Sequence, residues 1–586
     1  MSTGDRYFKL ARQAWNIGCC NGGESTMKTN RIVLLFTVVF FCTVPALAQT
    51  ASTGALTGEI SDPHGAVVAG AQVLVVNEAT GEKRVVVSQD NGSYTIALLL
   101  PGSYRVEFTK QGFKSSVKTG LQINVTETRR LDAQLEVGSV EERVVVVSES
   151  QLLQTESPAL GNVTDHVSVV NLPLVTRNYT QIVTLSPGIS AGVTNAAALG
   201  RGSSGESQGN FRVHGASGAD NNFQMNGIGI NDLQASGFLS GGVAVPNPDA
   251  IQEFKVQTGL YDASYGRNAG AVVDVVTRGG GNKFHGTAFE FLRNDALNAN
   301  EFFRNAAGQK KGILKQNQFG FTLGGPIKKD KLLFFGSYQG IRQINGVGGG
   351  ATSNFFSPAF TDDRSRAALG KLFAGQAGAQ GGVAVAADGS NISAPALAIL
   401  SLKLPNGQYA VPTPQTVDST KAFALRGFSA LSIPAKFNED QFIVNIDYLQ
   451  SSKSKFAGRF FYANSTQNQP LPPTNLGGPA SPGYPWLTDN RLRNFSVAHT
   501  YTFSSRLLNQ AELGFHRTEA PTIQQELFKW SDVGVNAPTG EDQFPEILVN
   551  GSMTLGGNGQ GLNIIQKHLT LQDSLTYIRA RHTFRF

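Results

Sequence analysis

The chain has 586 residues, of which only 16% are charged, whereas about 25% is typical of soluble domains. Glycine contributes 66 residues and phenylalanine 37, a composition that favours many short strands and turns over helical bundles. The net charge of +6 with no long basic run gives no electrostatic basis for nucleic-acid binding, and the hydrophobic content excludes a highly charged disordered chain.

An export signal starts at Met27. Lys28 and Arg31 form a basic region, residues 32–44 form an apolar region, and Ala46-Leu47-Ala48 supplies a small-x-small cleavage site. Residues 27–48 therefore read as a secretory signal peptide of the Sec pathway, too short to span a membrane as a helix. Residues 1–26 are interpreted as a mis-assigned translation start, and the alternative is a genuine N-terminal extension.

Cleavage after Ala48 determines the cysteine chemistry of the exported chain. Cys19, Cys20 and Cys42 all precede the cleavage point, so the exported chain has neither disulfides nor thiolate metal sites. No later stretch approaches 18 consecutive apolar residues. If the exported chain spans a membrane, it must do so as a closed barrel.

Residues 54–137 form a series of short strand-like runs separated by turn signals, of which Asp90-Asn91-Gly92 is the strongest. This spacing predicts a small antiparallel β-sandwich with Tyr94 and Tyr104 in its core. The motifs resemble the carboxypeptidase regulatory-like domain, whose transthyretin-like sandwich has no catalytic activity. They are Gly58, Asp62-Pro63, Gly65, Gly70-Ala71, Asp90 to Tyr94, Leu100 to Tyr104, and Gly112-Phe113. We interpret them as turn and core residues, not as a ligand or glycan site.

Residues 138–157 form a linker that contains four consecutive valines, Val144, Val145, Val146 and Val147, flanked by charged residues. An extended segment of this kind can add to the exposed sheet edge of a partner through main-chain hydrogen bonds. It resembles the motif by which energised outer-membrane transporters engage TonB. The alternative is that the valines form the last strand of the preceding sandwich.

Residues 158–280 mix short strands with loops of small residues and contain three blocks in a distinctive order. These blocks are Leu172 to Ile189, Phe211 to Gly227, and Pro248 to Gly280. They resemble the plug of a TonB-dependent receptor, most closely the Oar-like subgroup that carries a regulatory-like domain in front. A family plug sits in a polar barrel lumen, so the resemblance implies plug–barrel contacts through Arg212, Arg267, Asp274 and Arg278.

From Phe284 onward the sequence alternates with period two. In residues 441–448, for example, Phe442, Val444, Ile446 and Tyr448 alternate with mostly polar neighbours. One apolar and one polar face fits lipid outside and water inside, although a soluble sandwich also gives one apolar face per strand. Nine strands are predicted, at 284–293, 316–325, 331–342, 441–450, 454–464, 493–503, 506–517, 566–577 and 580–586.

The predicted fold is therefore dominated by β-structure: a transthyretin-like sandwich, an α+β plug and, over residues 281–586, an antiparallel transmembrane β-barrel that is incomplete. Lys328 to Lys331 and Ser451 to Ser454 are expected to form the periplasmic turns. A plugged barrel of this family takes 22 strands, so we expect the sequence to be a truncated receptor. Phe586 resembles the aromatic residue at the end of a true outer-membrane strand, which is a signal for insertion. We interpret this match as a coincidence.

The resemblance implies an outer-membrane receptor, not an enzyme, that imports a solute (a siderophore, oligosaccharide or peptide) with energy delivered through TonB, ExbB and ExbD. No zinc-protease signature, phosphate-binding loop or Gly-x-Ser-x-Gly elbow occurs, and no cofactor is expected. Two alternatives stay open. The first is a surface adhesion or carbohydrate-binding protein made of β-sandwiches, and the second is a non-functional remnant of a receptor.

Overall fold

The computed structural model describes residues 53–139, 143–147, 159–191, 211–231 and 244–586, with short gaps inside these ranges. The gaps are residues 175, 262–264, 266–268, 301, 303–304, 306–309, 349, 379–380, 473, 475–476, 537–541, 550–551, 558–560 and 580–581. The expected signal peptide and the residues before it lie outside the described part, as does Arg267. Within the described part, no helix has the length and apolar character needed to cross a membrane.

The first domain is a sandwich of two sheets. Its strands are β1 (Gly54–Ser61), β2 (Gln72–Asn77), β3 (Lys83–Val87), β4 (Ser93–Leu99), β5 (Gly102–Thr109), β6 (Ser115–Ile123), β7 (Thr128–Arg130), β8 (Ala133–Gln134) and β9 (Arg143–Val147). One sheet has the order β4-β1-β7 with β8 also on β1, and the other has the order β3-β2-β5-β6-β9.

The two tyrosines predicted to lie in the sandwich core are found there. Tyr94 and Tyr104 are buried, and their hydroxyls donate to the carbonyls of Leu131 (2.6 Å) and Leu100 (2.7 Å). Gly92 closes the predicted turn with a φ of 74°, a conformation that glycine adopts without steric cost. The pairs β1–β4, β2–β3, β2–β5 and β5–β6 are antiparallel, as predicted, whereas β7 and β8 run parallel to β1 and β9 runs parallel to β6.

The second domain is built from short strands and two short helices. Its elements are β10 (Leu160–Asp165), α1 (His166–Asn171), α2 (Thr180–Val183), β11 (Ile189–Ala191), β12 (Phe211–Val213), β13 (Asn222–Met225), β14 (Ile228–Gly229), β15 (Ile251–Gly259) and β16 (Val272–Thr277). The main sheet has the order β10-β15-β16-β13-β14, and β11 pairs with β12. Asp165 caps α1 by accepting the Ser168 amide at 2.9 Å.

The third part is a nine-stranded antiparallel sheet, as predicted. Its strands in order are β17 (His285–Asn294), β18 (Leu314–Lys328), β19 (Leu332–Asn345), β23 (Ala435–Leu449), β24 (Ser454–Gln469), β25 (Trp486–Ser504), β26 (Leu507–Gln524), β29 (Leu562–Arg579) and β30 (His582–Arg585). The two expected short turns lie between β18 and β19 and between β23 and β24.

The long segments at the opposite end of this sheet contain structure that the sequence pattern did not predict. They contain β20 (Thr352–Ser357), α3 (Arg366–Phe373), α4 (Ala394–Ser401), β21 (Thr416–Val417), β22 (Gly427–Ser432), β27 (Ile547–Val549) and β28 (Met553–Leu555). Residues far apart in sequence share their cores; Phe355, Val411 and Leu555, for example, belong to one cluster. Tyr484, Phe528 and Phe544 belong to another.

Candidate functional site

The nine-stranded sheet has inverted polarity, with apolar side chains on its outer face. On β23, Phe442 and Val444 are 43% and 47% exposed, whereas Gln441 and Asn445, which flank them in the sequence, are 0% and 1% exposed. Strands β18 and β26 follow the same rule, with Phe321 and Leu513 exposed on the outer face. A water-soluble fold buries its apolar face, so this inversion is typical of strands whose outer face meets lipid.

The second domain covers the inner face of this sheet. Its hydrophobic core is continuous with side chains from the sheet wall, so the two parts share one buried cluster. The wall contributes Phe335, Ile443, Phe461, Ala463 and Leu492 to that cluster. The second domain therefore occupies the position of a plug.

Amide side chains line much of the remaining wall. Gln316, Gln318, Gln339, Gln343, Gln441, Asn445 and Asn494 are all buried. Gln441 is the most fully engaged of them, because its side chain accepts the Asn247 amide (2.7 Å) and donates to the Val245 carbonyl (2.9 Å). It thereby satisfies two backbone groups of the plug that would otherwise be buried without partners.

Two further wall contacts fix the plug close to Gln441. The Asn247 side chain donates to the Ser337 hydroxyl at 2.6 Å. The Asn445 amide donates to the Thr277 hydroxyl at 2.8 Å and to the Arg278 carbonyl at 2.7 Å. The plug thus meets this part of the wall through uncharged hydrogen-bonding groups, at Asn247 before β15 and at the end of β16, where the chain passes into the sheet.

A buried ion pair lies at the plug–sheet boundary. The Arg177 guanidinium donates to the Asp249 carboxylate, and the two side chains are only 8% and 7% exposed. The same guanidinium stacks over two rings of β17, at 4.1 Å from the centroid of Phe291 and 4.8 Å from that of Phe289. This pair joins two plug loops to the first strand of the sheet, and such stacking adds a cation–π attraction.

The residues predicted to contact the wall occupy different places. Arg278 lies at the boundary, with its guanidinium 5.7 Å from the ring centroid of Phe335 on the wall. Asp274 is buried inside the plug sheet and accepts hydrogen bonds from Tyr265 (3.1 Å) and Gln257 (3.3 Å). Arg212 is exposed on β12. Arg267 is outside the described residues.

Two plug carboxyls have pKa values well above those of ordinary acids. Burial raises the pKa of Asp274 to about 7 against the stabilising hydrogen bonds from Tyr265 and Gln257. Burial likewise raises the pKa of Glu253 to about 7, although this carboxylate accepts the backbone N–H of Val125 from the sandwich. Both groups therefore titrate near neutral pH.

Only part of this site could be predicted from the sequence. The period-two pattern on β23 placed Gln441 and Asn445 on the polar face, but it gave no indication of their partners. Arg177 and Asp249 stand within the quoted plug blocks, 72 residues apart, and no local pattern links them. Among the described residues, no group of three or more His, Cys, Asp or Glu side chains is arranged to hold a metal ion.

The four valines form a strand within the sandwich. β9 pairs in parallel with β6, with Ser116 opposite Val144 and Thr119 opposite Val147. It is the last strand in the order β3-β2-β5-β6-β9. This geometry corresponds to the alternative considered for the valines, and it does not test whether they also bind a partner.

Comparison with known families agrees with this architecture. A family model described as an outer membrane beta barrel domain matches residues 276–586, more than half of the chain. A model for the TonB-dependent receptor plug domain matches residues 142–273, and one for the carboxypeptidase regulatory-like domain matches residues 55–136. The chain belongs to the TonB-dependent receptor family. The plug match includes β9, although β9 pairs with the sandwich.

Among individual relatives of this TonB-dependent receptor, the TonB-dependent transporter Oar of Myxococcus xanthus is 28% identical over 282 residues. That match covers 45% of this chain and 25% of the relative. A solved structure, the outer membrane transporter YddB of Escherichia coli, is 11% identical with a TM-score of 0.42, covering 74% of this chain and 48% of that one. A variant of the ferric enterobactin receptor PfeA of Pseudomonas aeruginosa is 14% identical with a TM-score of 0.38, covering 72% and 47%. The chain thus matches about a quarter of the curated relative and about half of these structures.

Proposed function

We propose that this chain acts in the outer membrane as an energy-coupled receptor that binds an extracellular solute and passes it to the periplasm. One observation carries the proposal: a sheet with an apolar outer face holds, on its inner face, a plug domain that is hydrogen-bonded to the wall through Gln441 and Asn445. Such a plug is useful in a transport path, because it closes the path until it is moved. No bond of the solute is made or broken.

The energy for moving the plug would come from the inner-membrane proton gradient through TonB, ExbB and ExbD. In this proposal TonB pairs with the strand Val144–Val147 by main-chain hydrogen bonds, a mode of recognition that needs an accessible sheet edge. The solute is a siderophore, an oligosaccharide or a peptide. Oar, a relative by sequence, is named a TonB-dependent transporter, and this supports the coupling.

The location is tested by fractionating cells that express the whole chain. We expect it to sediment with outer membranes and to need detergent for extraction. Recovery in the soluble fraction without detergent would contradict the proposed location.

The coupling is tested by capture on the immobilised TonB C-terminal domain. We expect deletion of Val144–Val147 to abolish capture. Replacement of the same four valines by threonines is the matched control, because threonine keeps the main chain and the strand propensity. Equal capture of the deletion variant and the unaltered chain would refute the role of this strand.

A further inference from the structure

The sandwich makes two hydrogen bonds to the plug sheet just beyond the end of β6. The backbone N–H of Val125 donates to the Glu253 carboxylate, and the Lys255 ammonium donates to the Thr126 carbonyl at 3.3 Å. Glu253 and Lys255 lie on β15, which pairs with β10, the first strand of the plug sheet. Both residues are almost completely buried, with exposed fractions of 4% for Glu253 and 2% for Lys255.

A second loop of the sandwich contacts the end of the nine-stranded sheet that carries the two short turns. The Lys455 ammonium lies 3.0 Å from the Glu82 carboxylate, and these side chains are 11% and 16% exposed. The Asn282 backbone N–H donates to the Ala79 carbonyl, and the Asn282 side chain donates to the Thr80 carbonyl, both at 2.8 Å. The sandwich therefore bridges the plug and the sheet that surrounds it.

The contacts that form this bridge are polar. In the described part of the chain, the hydrophobic cluster of the sandwich contains only sandwich residues, whereas the cluster of the plug contains plug and wall residues. Separating the sandwich from the plug thus breaks hydrogen bonds and ion pairs that water can replace, and it does not open a shared core. Such an interface holds its parts in place and can still be released.

We propose that the sandwich is a latch across the periplasmic mouth, and that a partner pulling on β9 releases it before the plug moves. Because β9 is hydrogen-bonded to β6, force applied to β9 enters the sandwich first. Val125 and Thr126 come directly after β6, so the force then reaches their contacts with the plug. This inference rests on the proposed TonB coupling for its trigger, whereas the latch itself rests on the contacts alone.

The trigger is tested by hydrogen–deuterium exchange on the whole chain in detergent, with and without the TonB C-terminal domain. The readouts are the peptides containing the Val125 and Asn282 amides, both of which donate hydrogen bonds across the interface. We expect both amides to exchange at least tenfold faster when the partner is bound. Bound partner with unchanged exchange would overturn the latch, whereas failure of the partner to bind would count against the proposed coupling.

The latch is tested without any partner by reversing charges at the Glu82–Lys455 pair. Glu82→Lys places two ammonium groups together, and we expect faster exchange at Val125, which lies on a different loop and contacts a different domain. The combined variant Glu82→Lys and Lys455→Glu restores the pair and should return exchange to its original rate. Asp90→Lys, with the same charge change at an exposed turn residue of the sandwich outside these contacts, is the control.

The outcomes of the charge reversal are decisive in both directions. Faster exchange at Val125 in Glu82→Lys alone, with recovery in the combined variant, supports one cooperative docking surface. Equal exchange at Val125 in all variants would show that the contacts act independently, and the latch would then be refuted even if the partner binds.

Discussion

Removal of the Asp249 carboxylate should lower the stability of the plug more than removal of any exposed charge in the molecule does. In Asp249→Ala, the Arg177 guanidinium stays buried between the plug and the Phe289 and Phe291 rings without its counter-ion. Breaking a buried pair in this way costs about 3–5 kcal/mol. At ~1.4 kcal/mol for each factor of ten, the plug should open some 100- to several 1000-fold more often.

The measurement is the urea dependence of plug unfolding in detergent, with hydrogen exchange of the peptides covering α2 and β15 as the local readout. Glu136→Ala is the matched control, because its partner Lys114 lies 3.5 Å away and the two side chains are 59% and 31% exposed. Removal of such a surface pair should change the free energy of unfolding by about 0–1 kcal/mol.

A second variant separates the loss of the ion pair from general damage to the plug. In Arg177→Met with Asp249→Leu, both charges are replaced by apolar groups of similar volume, a change that is often neutral or stabilising. We expect this double variant to recover most of the stability lost in Asp249→Ala. An Asp249→Ala plug within about 1 kcal/mol of the unaltered one, or a double variant as unstable as the single one, would refute the reasoning.

Three further outcomes are expected. Since burial in the folded, docked chain raises the pKa of Glu253 from 4.5 to about 7, ionisation of this carboxyl should destabilise that state as the pH rises from 4.5 to above 7, by at most about 3 kcal/mol. Charges of Glu127, Lys255 and Asp165 also act on this group. Glu253→Gln should remove the contribution of Glu253 to the pH dependence, measured as protection factors of the interface amides so that the intrinsic base catalysis of exchange cancels. Gln441→Ala should lower the urea stability of the plug by about 1–3 kcal/mol, because it leaves two buried backbone groups without partners; a loss no greater than that of exposed Lys436→Ala would contradict this. Val444→Arg should cost about 2–4 kcal/mol near the membrane midplane and reduce folding into lipid vesicles on heat-modifiability gels, whereas Val444→Leu should fold normally.

The strands were predictable because the property that defines them is local. On β23, alternation of apolar and polar residues identified both the strand and its buried face, since successive side chains point to opposite sides. The same rule located all nine strands of the sheet, although several of their ends differ from the predicted ones by five to seven residues. Turn residues such as Gly92 were predictable for a related reason, because a positive φ favours glycine wherever it occurs.

The remaining structure depends on contacts between distant residues, which no local period encodes. The segment between β19 and β23 is rich in glycine, alanine and serine, and Phe355 there shares a core with Leu555, some 200 residues later. The four valines indicated a strand, but its parallel pairing with β6 depends on the position of the whole sandwich. Likewise, a buried polar face placed Gln441 correctly, whereas its plug partner Asn247 lies 194 residues away.

The amide-rich wall has a consequence for how the plug can leave. Glutamine and asparagine each carry a donor and an acceptor, so one side chain can bond to a backbone amide and, when that amide departs, to a water molecule in nearly the same geometry. The same inner face also carries buried carboxyl groups, those of Glu439, Asp447 and Glu512, so the neutral amides form only part of the lining. In the proposed transport function, water replaces the plug at Gln441 and Asn445 one contact at a time, whereas a charged wall residue needs its charge solvated as well.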